Sequence, residues 1–303
     1  MTRPRVDIGI VTWNTSDLTV DCIRRLSSAS DEVDLRILVH DNASSDGTPD
    51  AIEAAALDVE LERGDTNLGF AGGVNRLLER STAPWFLALN SDAWLEPGAV
   101  AQLVATAEAH PRAALVAPRI ERPDGTLEHS THRFPSLRFG AIAATSVNRL
   151  LGRAFSKRWL LETYWNHDEQ RTVDWAVGAA WLMRRRAVDV IGPLDESYFM
   201  YVEDLEWCWR ATQAGWEIWF EPKSLVRHIG NASGEKAYGE QRTAAWLRNT
   251  YSFYRDVHGP LAAQAFRALN VAAAGRLYAI ARARHDNEGR ARWAAHLRAS
   301  LHH

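Results

Sequence analysis

Short polar residues recur at the points where hydrophobic runs of this chain stop. Thr12 and Asn14 follow the run 6–11, Asp41 follows 36–40, Asn67 follows 59–62, and Asn90, Ser91 and Asp92 follow 85–89. At the C-terminal ends of parallel strands such residues face the edge where open α/β sheets take ligands. One aspartate in such a place is often only a helix cap, whereas four successive strands ending this way point to a binding edge. Asp92 could serve as an oxygen ligand to a divalent cation. A second acidic group, Glu203, Asp204 and Glu206, opens the stretch 203–214. A carboxylate so placed can take the proton of an attacking hydroxyl; it can also be a first-turn acid favoured by the helix dipole. Neighbouring acids raise its pKa and the helix N-terminus lowers it, so the sign stays open.

The elements that must position these groups alternate. Residues 6–11, 36–40, 59–62, 85–89 and 114–120 read as strands, with helices between them, which predicts βα units and a mostly parallel sheet. Leu18, Cys22 and Leu26 fall on one helix face. Thr48 and Pro49 read as the N-cap and first residue of a helix. Gly69, Gly72 and Gly73, bracketed by Asn67 and Asn75, would let backbone pass close to a bulky ligand; a plain turn before a helix is the other reading. The pattern loosens over 126–171, an insertion of loops and short helices. Regular structure returns at 173–183, a helix covers 203–214 and a last strand 216–220. Beyond 241 all reads as helix, with breaks near Gly259-Pro260 and 286–289.

Composition bounds the class. The 303 residues are 46% hydrophobic and 24% charged, a globular balance without disorder. Two cysteines without clustered spacing exclude a zinc framework or disulfide scaffold and fit a reducing compartment. No secretory leader and no apolar run of roughly 18–20 residues is visible. The expectation is a cytoplasmic protein, or one peripheral to the inner face of the cell membrane. Residues 241–303 hold ten arginines and three acids, a formal +7, leaving 25 basic and 35 acidic residues, a formal -10, in 1–240. A basic tail on an acidic body suggests an anionic partner or a solvated helical face. Leu261, Phe266, Leu269, Leu277 and Ile280 among Arg267, Arg276, Arg282 and Arg284 could form a helix lying on anionic lipid, a dimer contact or a lid. Eight of the thirteen tryptophans fall between Trp159 and Trp219.

The ordered motifs carry a resemblance. Val11-Thr12-Trp13-Asn14, His40-Asp41-Asn42 through Thr48, Asn67-Leu68-Gly69-Phe70-Ala71-Gly72-Gly73-Val74-Asn75, Leu89-Asn90-Ser91-Asp92, Gly178 to Arg185 and Asp195 to Asp204 together resemble family 2 glycosyltransferases of the GT-A fold. The similarity spans roughly 5–232. It is greatest to bacterial rhamnosyltransferases acting on lipid-linked cell-wall or polysaccharide precursors; galactofuranosyltransferases share the layout. The resemblance implies an α/β, Rossmann-like, mostly parallel sheet flanked by helices, with a catalytic domain at 1–240 and a basic helical extension at 241–303. Its nucleotide-sugar half would be about 1–120 and its acceptor half about 121–240. It implies inverting transfer from a nucleotide-sugar donor, dTDP-rhamnose first, to a saccharide or polyprenyl-linked glycan.

The residue roles follow from the same likeness. Asp41 would accept the pyrimidine N–H, with Thr12 and Asn14 lining that pocket and Asn67, Gly69, Gly72, Asn75, Asn90 and Ser91 completing the nucleotide-sugar site. Asp92 and His228 would hold Mg²⁺ or Mn²⁺; Asn90 departs from the usual Asp-x-Asp and leaves fewer anionic ligands. Asp204 would be the base and Glu203 would orient the acceptor. Trp175, Gly178 and Trp181 would line the acceptor or sugar pocket, where a sugar's CH face packs on indole. A UDP-sugar donor such as UDP-galactofuranose, and a non-catalytic nucleotide-sugar-binding protein, are the alternatives. Nucleic-acid binding is not expected: no recognised module is present and the acidic body opposes it.

Overall fold

The computed structural model describes residues 3–27, 32–145, 165–230 and 241–301. Residues 146–164 of the loosely patterned stretch, Trp159 among them, lie outside the described residues. The rest fall in two compact units, Met1–His132 with Asn166–Ser233, and Arg133–Trp165 with Gly234–His303.

The first unit is built on one mixed sheet. Its strands are Arg5–Thr12 (β1), Asp34–Asp41 (β2), Glu60–Arg63 (β3), Trp85–Asn90 (β4), Ala93–Leu95 (β5), Ala113–Glu121 (β6), Leu127–Glu128 (β7), Arg171–Val173 (β9), Ala180–Arg184 (β11) and Glu217–His228 (β12); a separate small ladder joins Thr131–His132 (β8) to Trp175–Ala176 (β10). The main order is β3-β2-β1-β4-β11-β6-β12-β5. Pairs β3–β2, β2–β1, β1–β4 and β6–β12 are parallel, while β11 runs against both of its neighbours. The central strand β4, Trp-Phe-Leu-Ala-Leu-Asn, is a near-continuous hydrophobic run because both of its faces are covered. Val6, Ile8 and Ile10 of β1 are wholly buried on one face. Gly9 on the other leaves room for the Phe86 ring, which a Cβ there would approach to 2.3 Å.

Helices Ser16–Ser27 (α1), Thr48–Ala54 (α2), Gly69–Arg80 (α3), Ala99–Ala109 (α4), Arg185–Ile191 (α6) and Glu203–Gln213 (α7) complete the unit. Two successive arginines tie β11 to separate helix ends. Arg184 donates to Ala107 O and, at 3.2 Å, to His110 O, while Arg185 donates to Leu78 O at 2.7 Å and Ser81 O at 2.9 Å. Each cation thus meets the last carbonyls of a helix, α4 and α3, where the dipole favours it. Away from the ligand edge, the buried Asp7 carboxylate accepts from Ser81 Oγ, Thr82 N and Ala83 N at 2.7–2.9 Å.

Three details differ from the sequence reading. Gly47, at φ 81°, caps α2, and Thr48 is a buried helical residue whose N–H and hydroxyl both bond Asp46 Oδ1. The last strand does not stop at 220 but continues to His228, through a register shift between Glu221 and Leu225. The buried Glu221 is satisfied there by Thr106 Oγ1, Gln170 Nε2 and Lys223 N at 2.6–2.8 Å. A short helix, α6, also follows β11 directly.

The second unit contains Leu137–Thr145 (α5), Arg242–His258 (α8), Pro260–Ala283 (α9) and Asn287–Leu301 (α10); the break at Gly259 falls where the sequence placed it, and the second lies at 284–286 rather than 286–289. Leu247, Tyr251, Tyr254, Phe266 and Ala299 form its core. Tyr254 stacks on Phe266 at 4.4 Å and Tyr251 Oη bonds Ser300 Oγ at 3.0 Å. Phe266, expected on a basic helical surface, is therefore inside, and Arg267 donates to Ser300 O and Leu301 O at the end of α10. Leu261 is 82% exposed. Among the described residues no helix is long and apolar enough to cross a membrane.

Candidate active site

Strand register brings the first cluster together. Thr12 pairs with Asp41 across β1–β2, and Val11 with Asn90 across β1–β4, so the ends of three strands share one edge. Asp41 is buried; its Oδ2 accepts the Ser44 N–H at 2.9 Å, and its Oδ1 has no hydrogen-bond partner among the described residues. A buried carboxylate oxygen left so is ready for a donor from a ligand. Asn14, at φ 54°, clamps the next loop: its Oδ1 accepts Ser45 N at 2.8 Å and its own N–H donates to Ser44 Oγ at 2.8 Å. Thr12 was expected to line this pocket. Its hydroxyl is instead fully buried among Thr15 and Thr19 at 2.9 and 2.7 Å, and Thr15 passes the network on to Ser91 at 3.1 Å. Thr12 and Ser91 thus brace the strand ends from beneath.

The glycine-rich segment is packed closely against neighbouring protein. A Cβ on Gly69, whose φ is 75°, would lie 2.1 Å from Phe199 O; one on Gly72 would meet Leu68, and one on Gly73 would meet Val11. The close approaches are therefore to protein. Asn67 Oδ1 accepts Gly69 N at 2.9 Å, and Asn42, which the sequence reading did not single out, holds Leu68 N and Gly69 O. Asn75 is buried and fully engaged, donating to Leu194 O at 2.9 Å and Glu196 Oε1 at 2.8 Å and accepting Leu194 N at 2.9 Å. Phe70 N–H reaches Phe199 O at 2.9 Å. Helix α3 thus carries the loop that leads into α7.

Asp92 meets His228 because β5 pairs with the extended end of β12, Ala93 opposite His228. Asp92 Oδ1 lies 3.2 Å from His228 Nε2, and Asn90 Nδ2 lies 3.3 Å from the same nitrogen. Glu128, absent from the sequence reading, contacts Nδ1 at 3.1 Å. Burial opposes charge on this imidazole, but hydrogen bonds and charges of Asp92 and Glu128 outweigh it and raise the pKa to about 9. No group of three or more acidic, histidine or cysteine side chains forms a cage among the described residues. One carboxylate and one imidazole nitrogen on a common side suit a divalent ion that takes its remaining ligands from phosphate and water.

The second acidic group stands at the start of α7. Tyr201 and Val202, at φ 72° and 83°, turn the chain into the helix, a left-handed pair that side-chain-bearing residues rarely adopt. Asp204 Oδ1 accepts Leu205 N at 2.8 Å and Oδ2 accepts Gly178 N at 3.3 Å. Burial raises its pKa to about 6 against these main-chain donors. Burial and the charge of Asp204 push Glu203 well above the ordinary carboxylate range, and Glu203 Oε2 is buried without a hydrogen-bond partner among the described residues. Glu206 is held by Arg210 through two contacts of 2.7 and 2.9 Å. The two acidic clusters are linked through the turn that enters β11: Asn90 N–H donates to Ala179 O at 3.0 Å, one residue from the Gly178 amide that reaches Asp204.

The tryptophans divide. Trp181 is 1% exposed, donates its indole N–H to Val177 O at 2.9 Å and meets Phe70 edge-on, so it is core and offers no face to a sugar. Gly178 packs against that ring. Trp175 is half-buried, its ring 4.9 Å from that of His132.

Comparison with known proteins gives these residues a setting. The profile of Glycosyl transferase family 2 matches residues 7–192. N-acetylglucosaminyl-diphospho-decaprenol L-rhamnosyltransferase of Mycobacterium tuberculosis is 30% identical over 246 residues, 76% of this chain and 78% of that protein. Galactofuranosyl glycosyltransferase of Leishmania donovani is 26% identical over 224 residues, 66% of this chain and 50% of that one. The solved structure of mannosyltransferase PcManGT from Pyrobaculum calidifontis, in complex with GDP-Man and Mn²⁺, superposes with a TM-score of 0.61 at 18% identity, over 99% of this chain and 87% of that one. That likeness extends to the GT-A fold.

Proposed function

The chain belongs to glycosyl transferase family 2, and on that premise we propose that it inverts the anomeric centre of a nucleotide-sugar while passing the sugar to a saccharide hydroxyl. L-rhamnose from dTDP-rhamnose is the favoured donor, and a polyprenyl-linked glycan the favoured acceptor; the name of the mycobacterial relative supports both. The observation that carries the reading is Asp204, a buried carboxylate raised to about 6 and tied through Gly178 and Ala179 to Asn90 beside Asp92.

Asp41 Oδ1 takes the pyrimidine N–H. Asp92 and His228 would hold a divalent cation, which would supply electrostatic stabilisation to the departing diphosphate. On the far side of the sugar, Asp204 accepts the acceptor's hydroxyl proton; a base with a pKa near the working pH suits that transfer. Glu203, kept neutral beside it, leaves one negative charge in the pair and a carboxyl that orients the acceptor. A UDP-sugar donor such as UDP-galactofuranose is the second reading, favoured by the Leishmania relative. The ten arginines of residues 241–303 support a peripheral position on anionic lipid at the cytoplasmic face.

The test begins with a thermal-shift screen of dTDP-, UDP- and GDP-sugars with Mn²⁺ or Mg²⁺, since a ligand of the folded state raises its stability. The best donor is then assayed for transfer. Asp204→Asn should lower transfer about 100-fold or more while donor still binds, and Asp92→Ala should abolish metal-dependent donor binding. Undiminished transfer by Asp204→Asn would sink the proposal.

A further inference from the structure

We infer that Glu128 is a positioning residue for the cation site, fixing the His228 ring so that Nε2 is the metal-facing nitrogen and returning from behind the ring the negative charge that Asn90 lacks in front. The inference rests on the proposal that Asp92 and His228 hold a divalent ion.

Three separate segments meet at this imidazole. His228 is the last residue of β12, held opposite Ala93, and the Ile229 N–H bonds Asp92 O at 3.0 Å, so the ring is set beside Asp92 by main chain. Glu128 arrives on β7, paired with Ile120 of β6. Its Oε2 lies 3.1 Å from Nδ1, while Nε2 faces Asp92 Oδ1 and Asn90 Nδ2 at 3.2 and 3.3 Å. An ionised carboxylate only accepts hydrogen bonds, so it holds the ring hydrogen on Nδ1. A cation that displaces the Nε2 proton would then meet the lone pair there, beside Asp92. A carboxylate on the distal N–H also makes an imidazole a stronger ligand and fixes its plane. Asn90 contributes an amide in place of a charge, so Glu128 keeps the site acidic one bond-shell further out. A nitrogen beside a carboxylate oxygen also favours Mn²⁺ over Mg²⁺.

The test measures Mn²⁺ binding to the full chain by the paramagnetic signal of the free ion, with dTDP or UDP present. Wild type should bind, and Asp92→Ala should not. Glu128→Ala and the isosteric Glu128→Gln should each weaken Mn²⁺ binding by about 10- to 100-fold, with unchanged circular dichroism showing that Gln keeps the fold. In a His228→Ala background Glu128→Gln should have no further effect, because its influence passes through the ring. Wild-type affinity in both Glu128 variants would overturn the inference while leaving the proposed function intact. An equal loss with and without His228 would also overturn it, since Glu128 would then act as diffuse charge. A wild-type chain that binds no Mn²⁺ with either nucleotide would overturn both.

Discussion

Asp204 shows how one residue's surroundings decide its chemistry. A helix N-terminus should depress its pKa, and main-chain N–H groups do pull downward, yet burial wins and leaves it at about 6. Glu206, two residues on, is held by Arg210 and is not among the largest causes of the shift. The sign follows from linkage. The folded pKa lies above an unfolded value of about 4, so the stability that Asp204 contributes is full below about pH 4, is lost as pH rises to about 6 and stays lost above it. Asp204→Asn should therefore be more stable than the parent at pH 8, by up to about 3 kcal/mol, with the gain vanishing near pH 4; chemical denaturation at the two pH values measures this. If Asp204 is the base, the transfer rate of the parent should climb through about pH 6. Position was legible for Asp41 and Asp92 at strand ends and for Asp204 in the first turn of a helix, because the apolar runs and their breaks mark those boundaries. The environment was not: nothing in the sequence separates the core ring of Trp181 from the half-buried Trp175, or marks Thr12 as a hydroxyl bonding downward.

Between residues and molecule stand the elements, and α3 with the 194–202 loop is the pair on which the proposed base depends. Asn75 and the Phe70 amide fasten that loop to α3. Gly69 permits the contact, since its φ of 75° and a would-be Cβ 2.1 Å from Phe199 O exclude a side chain. Gly69→Ala should cost about 2 kcal/mol or more and lower kcat more than it raises the donor KM, because the displaced loop leads to Asp204. Denaturant titration and steady-state kinetics check both parts. Strands β1, β2 and β4 and the tail helices were legible because their apolar runs are long enough to show a period. β5 and β7, of three and two residues, have none. The end of β12 was hidden by Glu221-Pro222-Lys223-Ser224, where the strand shifts register, and with it went the strand position of His228.

At the scale of the molecule, every proposed donor, metal and base residue lies in the first unit, while the second has its own aromatic core. Phe266→Ala should cost the second unit about 3 kcal/mol or more and leave the Kd for dTDP or UDP within about twofold, which calorimetry and nucleotide titration can separate. The charge contrast between body and tail was visible in composition, but the joining of 133–145 to the tail helices was not, since no local pattern encodes a contact over a hundred residues away. The Gly178 amide has a use beyond holding Asp204 in place. Its hydrogen bond ends on a carboxylate that changes charge near neutrality, so the amide proton is deshielded when that oxygen is ionised and less so when it carries a proton. With 19 glycines in the chain, a ¹⁵N-glycine spectrum is sparse enough to resolve it. The protein thus contains its own indicator dye for the state of the proposed base.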